Sequence, residues 1–225
     1  MTQFPETLLE RHRQFIRDYY DKERFQALAD QQKPEIMVIA CCDSRVAPEI
    51  VFNATPGELF VVRNVANIVP PYETNGQHHA ISSAVEFAIL GLNIRHIVIM
   101  GHARCGGIQA ILNPIDQPLS PGDYIGKWMD VIRPLSQKIT AKSASEKQAL
   151  LEKTSILHSL KNLREFPCVH LLEKQNLLHL HGAWFDIRSG ELWVLDPEKN
   201  EFICNPIEIR TKGKLHSSSY NFFRR

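Results

Sequence analysis

The sequence predicts a three-layer α/β fold, with a mostly parallel central sheet of four strands, an antiparallel edge strand and an N-terminal helical arm. Two observations predict it. Nearly continuous apolar runs, typical of buried parallel strands, lie at about 35–41, 58–63, 95–101 and 178–187. Segments with the apolar spacing of helices separate most of these runs, and this alternation is the pattern of a parallel sheet covered on both faces.

The first element is a helical arm, predicted over residues 6–30. Its apolar side chains, among them Leu8, Phe15 and Ile16, recur at helical spacing and form one stripe, which Phe25 continues into a second or bent helix. This stripe packs either on the core of its own chain or on a second subunit. We favour the second subunit, because an aromatic stripe ahead of a complete α/β pattern suits an interface.

Further helices are predicted between and after the strands. Ser143 and Glu146 have the spacing of a capping box, and Pro167 marks the end of the helix that begins there. Gly190 lies in the turn that leads the fourth strand into an antiparallel partner. The predicted helices cover about 77–92, 102–112, 125–140, 144–165 and 168–175. We expect one domain, composed of the arm (1–32), an α/β core (33–200) and a C-terminal extension (201–225).

The composition is that of an ordinary globular protein, with a formal net charge of +1 at pH 7. A charge this close to zero provides no field that would attract nucleic acid, and no run reaches the roughly 18 apolar residues of a membrane span. The first residues match neither a secretory signal nor a mitochondrial transit peptide, so we expect a cytoplasmic protein. Its five cysteines favour metal binding or free thiols over a disulfide framework.

The segment from Cys41 to Arg45, with the sequence CCDSR, follows directly on the first predicted strand. Open α/β sheets bind their ligands at the carboxyl ends of the strands, so a site is expected here. Successive side chains of a strand point to opposite faces. We therefore expect Asp43 to share the face of Cys41, and Cys42 to point away and pack as a small apolar residue.

A second motif, Gly101 to Gly107, follows the third strand in the same way. His102 and Cys105 are three residues apart and are predicted to face the same way on a first helical turn. Thiolates and imidazoles are ordinary zinc ligands, so Cys41, His102 and Cys105 are the candidate metal ligands. The fourth position stays open between Asp43 itself and a water molecule that Asp43 holds.

The guanidinium of Arg45 can hold the carboxylate of Asp43 through two hydrogen bonds. A carboxylate held in this way stays ionised and points at the space beside the metal. The alternative is a surface ion pair, which would stabilise the fold little. A phosphate loop is excluded because no Lys-Ser or Lys-Thr follows the glycines. A catalytic Cys–His pair without metal would leave Asp43 and Arg45 without a role.

With these motifs taken together, the sequence strongly resembles the β-class carbonic anhydrases. The family pattern C-x-D-S-R corresponds to Cys41–Arg45, and the pattern G-H-x-x-C-G-G corresponds to Gly101–Gly107. Segments 60–67 and 181–186 are also similar to the family, and the likeness runs from about residue 30 to 200. The two patterns at this separation are jointly very specific, whereas either one alone is not.

The resemblance implies an enzyme that interconverts carbon dioxide and bicarbonate, with one zinc ion per subunit. It implies that Cys41, His102 and Cys105 hold the zinc. It also implies that Asp43 and Arg45 form a catalytic dyad that orients zinc-bound hydroxide, with Asp43 as a fourth ligand only in a closed state.

The resemblance further implies a substrate pocket with an apolar wall and a glutamine from a partner subunit. The matching residues are Gln32, Phe60, Val65, Phe87 and Gly106. One subgroup of the family is regulated by bicarbonate at a site that needs a tryptophan three residues before the first zinc cysteine. Because Val38 stands there, the chain resembles the plant-like subgroup, whose zinc is open and bears water.

The resemblance implies a homodimer as the smallest unit, and a tetramer is the next assembly to test. We expect no nucleic-acid or membrane partner. Two alternative functions stay open, a related zinc lyase that acts on carbon disulfide or carbonyl sulfide, and a non-catalytic zinc or redox module. A substrate panel distinguishes the first alternative, and a metal site closed by protein ligands would indicate the second.

Overall fold

The computed structural model describes residues 4–75, 80–113 and 117–205. The described residues divide into two compact units, one over 4–32 and one over 33–205. Among the residues described, no helix is both long and apolar enough to cross a membrane.

The described part of the first unit consists of two helices, α1 (Glu6–Asp18) and α2 (Lys22–Ala29). Asp21 begins α2 by accepting a hydrogen bond from the backbone N–H of Arg24 at 2.8 Å. The two helices are joined by an aromatic cluster in which the ring of Phe25 lies 5.8 Å from Phe15 and 4.8 Å from Tyr20. The prediction of a second helix after the first stripe is therefore confirmed. The choice between its own core and a second subunit stays a prediction.

The second unit is built on a six-stranded sheet with the order β2-β1-β3-β4-β5-β6. Strands β1 to β4 run parallel, and β5 and β6 are antiparallel to their neighbours. The strands are β1 (Ile36–Cys41), β2 (Leu59–Asn64), β3 (His96–His102), β4 (His179–Phe185), β5 (Leu192–Asp196) and β6 (Glu201–Asn205). The predicted α/β class with a mostly parallel sheet is confirmed.

The number of strands was predicted wrongly, because β6 lies in the segment taken for a C-terminal extension. Its residues pair with β5 in register, from Leu192 with Asn205 to Asp196 with Glu201. Among the described residues, β6 rather than β5 is therefore the antiparallel strand at this edge of the sheet. Its five residues alternate between exposed and half-buried and lack the continuous apolar character of the central strands. A short edge strand with a polar face carries too weak a pattern to be separated from a polar tail.

The helices of the second unit follow the predicted order, most of them with shorter bounds, except that a short first helix over 48–51 was not predicted. They are α3 (Pro48–Val51), α4 (Ala80–Glu86) followed by a π-helical segment (Phe87–Gly91), α5 (Gly106–Leu112), α6 (Tyr124–Met129), α7 (Arg133–Ser136), α8 (Ala144–Leu163) and α9 (Pro167–Lys174). The predicted cap of α8 is present, since Ser143 Oγ accepts a hydrogen bond from the N–H of Glu146 at 3.1 Å. The helix predicted over 125–140 is two helices. Pro134 opens the second of them, and its lack of an N–H suits a first turn better than a helix interior.

Three apolar clusters fix the sheet and position the site. The largest packs alternate residues of β1 and β3, such as Met37 and Ile99, against α4, α8 and α9. A smaller cluster lies on the opposite face, where Val38 and Met100 contact Val51 of α3. The third lies at the carboxyl ends of the strands and includes Cys41 and Cys105 together with residues of α5, α6 and α8. The candidate site is therefore anchored in packed core.

Candidate metal centre

The structure brings the three predicted ligands together at the carboxyl edge of the sheet. Strands β1 and β3 are parallel neighbours with Ala40 opposite Met100, so Cys41 at the end of β1 adjoins His102 at the end of β3. The ligand atoms of Cys41, His102 and Cys105 all lie within 4.8 Å of one another, and all three residues are buried. The Sγ atoms of Cys41 and Cys105 are 3.9 Å apart.

The imidazole of His102 presents one nitrogen to this group. Its Nδ1 lies 2.9 Å from the carbonyl oxygen of Ala103 and donates a hydrogen bond to it. Its Nε2 is buried and finds no hydrogen-bond partner in the part of the chain that the structure describes. A buried polar atom without a partner is costly, unless its lone pair is reserved for a ligand. The tautomer fixed by Ala103 therefore leaves Nε2 free to bind a metal ion.

The distances and the donor types fit zinc. Two sulfur ligands of a tetrahedral zinc, each at about 2.3 Å from the metal, lie roughly 3.8 Å apart. The observed 3.9 Å between the two Sγ atoms agrees with this separation. Two thiolates and one imidazole form a common zinc ligand set, and three protein ligands leave a fourth position for a reactant. Zinc is accordingly the cofactor that these residues suit.

His102 and Cys105 do not lie on one turn of a helix, contrary to the prediction. A non-helical turn between β3 and α5 positions Cys105 instead. His102 is the last residue of β3, whereas Cys105 caps the N-terminus of α5. Between them, Arg104 adopts the left-handed conformation with φ of 59°. This reversal, uncommon for a residue other than glycine, directs Cys105 back towards His102.

Asp43 lies beside the three ligands and is held by Arg45. Nε of Arg45 donates to Oδ1 at 2.9 Å, Nη2 donates to Oδ2 at 2.6 Å, and the backbone N–H of Arg45 donates to Oδ1 at 3.0 Å. These bonds from Arg45 are the largest cause of the pKa of Asp43 lying well below its usual range. The carboxylate therefore stays ionised in the mildly acidic range, with both oxygens as acceptors.

The two buried thiols influence each other. In the absence of metal, the hydrogen bond between them lowers the pKa of Cys41 to about 4 and raises that of Cys105. The two thiols therefore do not ionise independently, and Cys41 is the one that ionises more readily. A thiolate is the form that binds zinc.

Two residues that support the site were missed from the sequence. Arg63 on β2 donates to the carbonyl oxygens of Cys41 at 2.9 Å and of Asp43 at 2.7 Å, and so fixes the backbone between them. Glu152 on α8 accepts a hydrogen bond from the backbone N–H of Cys105 at 3.0 Å. Arg63 lies in the segment that resembles the family. Glu152 has no sequence signal, because a single glutamate on a mixed helix predicts a solvent-facing residue.

The predicted pocket residues lie in different surroundings. Val65 packs on the cluster that includes Cys41 and Cys105. Phe60 and Phe87 pack on each other, with ring centroids 5.9 Å apart, and Phe60 borders the largest core cluster instead. Gly106 is exposed at the start of α5, and a side chain there would meet open space. Gln32 is an exposed residue of the first unit.

Cys42 does not pack as a small apolar residue, contrary to the prediction. Its thiol is exposed and borders a largely apolar cavity of about 710 Å³. Strand β1 ends at Cys41, so the alternation of a strand no longer directs the next side chain into the core. The cavity is also lined by residues of β2, α4 and α6, among them Val62, Ile81, Tyr124 and Trp128, and by Val65, which follows β2.

Comparisons with a family model and with individual proteins identify the same family. Residues 36–192 match the carbonic anhydrase family. The chain is 37% identical over 182 residues to β carbonic anhydrase 5, a chloroplastic protein of Arabidopsis thaliana, and the match covers 78% of this chain and 60% of that protein. It is 35% identical over 206 residues to a carbonic anhydrase of Pseudomonas aeruginosa, covering 88% of this chain and 92% of that protein. The chain thus spans 60% of the length of the first relative and nearly all of the second.

Solved structures have the same architecture. The β-carbonic anhydrase CcaA matches with a TM-score of 0.80 at 28% identity, covering 89% of this chain and 98% of that one. A chain from the tetrameric β-carbonic anhydrases of Sordaria macrospora matches with a TM-score of 0.67 at 27% identity, covering 84% of this chain and 93% of that one. The fold therefore agrees with the sequence comparison.

Proposed function

Because the chain belongs to the β-class carbonic anhydrase family, we propose that it catalyses the reversible hydration of carbon dioxide to bicarbonate and a proton. The observation that carries the proposal is the convergence of Cys41, His102 and Cys105, with Asp43 fixed beside them by Arg45. A metal ion with three protein ligands and an adjacent ionised carboxylate suits hydration of a small electrophile.

Held by Cys41, His102 and Cys105, zinc would lower the pKa of a water molecule towards about 7 and so supply a nucleophile near neutral pH. Asp43 receives the hydrogen bond of that nucleophile. An ionised carboxylate can only accept, so it leaves a lone pair of the nucleophile free to attack carbon. Oδ2 of Asp43 lies 3.9 Å from Nε2 of His102, the atom that faces the metal position. This distance supports the role proposed for Asp43 as an acceptor beside the metal position.

Arg45 has two tasks in this proposal. It keeps Asp43 ionised, and it holds both carboxylate oxygens so that Asp43 directs the nucleophile without binding the metal itself. This arrangement favours the open site over a closed one with Asp43 as the fourth ligand. Arg45 is half exposed, whereas Asp43 is mostly buried, so the pair also forms one edge of the entrance.

The substrate is small and apolar, and its pocket is proposed from the residues named above. Val65 packs next to Cys41 and Cys105 and would contribute one wall, and the family resemblance assigns the paired rings of Phe60 and Phe87 to a second. Gly106 leaves room beside Cys105, because no side chain occupies that space. Gln32 of a second copy would donate a hydrogen bond to the oxygen that gains charge.

We propose a homodimer as the smallest active unit. The support is twofold. A similar solved family member is described as tetrameric, and Phe87 and Leu90 are 51% and 65% exposed on the π-helical segment. Large exposed apolar side chains of this kind suit burial against a second copy. The five free cysteines suit a reducing compartment, so the cytoplasm is the proposed location.

Stopped-flow hydration of carbon dioxide between about pH 6.5 and 9, with zinc content measured on the same sample, tests the function. We expect one zinc per chain and a rate that rises with pH, because two thiolates lower the pKa of a bound water less than three imidazoles do. A zinc-loaded sample without hydration activity would contradict the proposal. Release of sulfide from carbon disulfide or carbonyl sulfide would then indicate the related lyase.

A further inference from the structure

The long helix α8 turns a polar stripe towards the interior of the protein. The buried members of this stripe recur at steps of three and four residues and are Glu152, Ser155, Ser159 and Asn162. Gln148 continues the stripe by one turn towards the N-terminus. Side chains at this spacing lie on one face of a helix. Buried polar side chains are costly, so what they contact indicates why they are there.

The stripe holds two loops that flank the metal centre. Ser159 Oγ accepts a hydrogen bond from the N–H of Val69 at 3.1 Å, and Asn162 Nδ2 donates to the carbonyl of Val69 at 2.8 Å. These contacts fix the loop after β2. The other end of the stripe reaches Cys105, since Gln148 Nε2 donates to its carbonyl oxygen at 3.4 Å.

Glu152 makes the contacts closest to the metal position. Its Oε1 accepts from the backbone N–H of the ligand Cys105 at 3.0 Å, and its Oε2 accepts from Nε1 of Trp184 on β4 at 3.1 Å. The side chain is almost fully buried, at 2% exposure. One carboxylate therefore links the loop that carries Cys105 to the strand next to the one that ends at His102.

We propose that Glu152 is a positioning residue of the metal centre, which holds Cys105 against β4 and thereby sets how firmly the zinc is retained. The inference rests on the proposed zinc function but concerns a residue that touches neither metal nor substrate. Partners of this kind typically change metal affinity by about 10- to 100-fold when they are removed.

The geometry explains why a carboxylate is needed rather than an amide. Both partners of Glu152 are N–H donors, and a carboxylate offers an acceptor to each of them. A glutamine of the same shape offers one acceptor and one donor, so its NH₂ group would face either the N–H of Cys105 or the indole N–H of Trp184. Glu152→Gln therefore breaks one contact while it preserves the volume of the side chain.

The test measures retention of zinc rather than activity. The zinc-loaded wild type, Glu152→Gln and Glu152→Ala are mixed with an excess of chelator, and zinc release is followed with a metal-sensitive dye. We expect release to be about 10-fold faster in Glu152→Gln and up to 100-fold faster in Glu152→Ala. The cobalt-substituted proteins should also differ in their visible spectra, which report the ligand geometry around the metal.

Glu146→Gln is the matched control. Glu146 lies on the same helix but is exposed and accepts from the backbone N–H of Lys142 at the helix start, a contact that glutamine can also make. It should release zinc like the wild type. Circular dichroism and the thermal midpoint of each variant separate a folding defect from a loss of metal retention. If Glu152→Ala fails to fold, the zinc release of Glu152→Gln alone tests the proposal.

The proposal is overturned if folded Glu152→Gln releases zinc at the wild-type rate and gives an unchanged cobalt spectrum. It is also overturned if the thermal midpoints with and without zinc fall by the same amount, because Glu152 would then stabilise only the fold. A wild-type protein that holds no zinc at all would instead contradict the proposed function.

Discussion

Oδ2 of Asp43 lies 3.9 Å from Nε2 of His102, and the two atoms are not hydrogen-bonded. The same oxygen accepts a hydrogen bond from Nη2 of Arg45 at 2.6 Å. Asp43 therefore approaches the metal-facing nitrogen while its carboxylate is bound elsewhere. What favours a directing role for Asp43 over a role as metal ligand is that Arg45 holds both carboxylate oxygens, and the first two predictions depend on this hold.

Asp43→Asn should keep its zinc and lose most of its hydration activity, by roughly 100-fold or more. An asparagine has the same shape but can present an N–H to the nucleophile, and it then fails to orient the lone pair. Stopped-flow hydration and zinc content on the same sample measure both effects. Asp130→Asn, which alters an exposed ion pair with Arg133, is the control and should be fully active. An unimpaired hydration rate in Asp43→Asn would show that Asp43 does not orient the nucleophile.

Arg45→Lys should retain zinc and lose about 10-fold in rate, because an ammonium group cannot hold both oxygens of Asp43. Arg45 depresses the pKa of Asp43, so the pair stabilises the fold above the ordinary aspartate pKa of about 3.9, and this contribution is lost as the pH falls towards the lowered value. The wild type should therefore exceed the variant in free energy of unfolding at pH 6 by more than at pH 3.

Urea unfolding of both proteins at the two pH values, with a chelator present, measures that difference. Equal differences at the two pH values would mean that the ion pair with Asp43 is not what the substitution removed.

Cys105→Ser should reduce the zinc content to below about a tenth of an equivalent, because a hydroxyl is a poor replacement for a thiolate ligand. Cys42→Ser is the matched control, since Cys42 adjoins the ligand Cys41 in the chain but exposes its thiol. It should bind a full equivalent. Elemental analysis of the purified variants measures both, and loss of metal from Cys42→Ser would show that the ligand assignment is wrong.

His181→Gln should make the stability of the fold less sensitive to acid. Nε2 of His181 lies 3.1 Å from Nδ1 of His96, whose ring stacks at 5.2 Å on that of His179. Burial lowers the pKa of His181, and the neighbouring histidines lower it further. The unfolded chain therefore binds a proton that the folded chain resists, so the wild type loses stability as the pH falls below about 6.5.

Thermal midpoints between about pH 7 and 5 measure this loss. His170→Gln, at an exposed position of α9, is the control and should follow the wild type. An acid dependence in His181→Gln as steep as that of the wild type would contradict the prediction.

Much of the site could be predicted from the sequence because the strands that carry it have a clear apolar pattern. The apolar runs that end at Cys41 and at His102 predict buried parallel strands, and such strands carry ligands at their carboxyl ends. That rule leads to the right edge of the sheet before any pairing is known. The pairing of β1 with β3 then accounts for the contact between Cys41 and His102.

The remainder depends on contacts that no local pattern encodes. Cys105 reaches His102 through the left-handed conformation of Arg104, which a sequence pattern does not specify. Glu152 is 47 residues from the Cys105 whose N–H it binds. Its burial follows from how α8 lies on the sheet, and a glutamate is ordinarily expected to face solvent. The predicted orientation of Cys42 was wrong for a related reason. The alternation of side chains along a strand was applied to Cys42, one residue beyond the end of β1.

The hydrogen bond from His102 to the carbonyl oxygen of Ala103 has a consequence for how the protein tolerates mutation. Every amino acid supplies a carbonyl, so no substitution at position 103 deletes the acceptor, although a bulky side chain could displace it. The support of Cys105 by the carboxylate of Glu152 can be abolished by a single codon change. The contact that orients the imidazole is thus robust to mutation of its partner, whereas the contact proposed to support the thiolate of Cys105 is not.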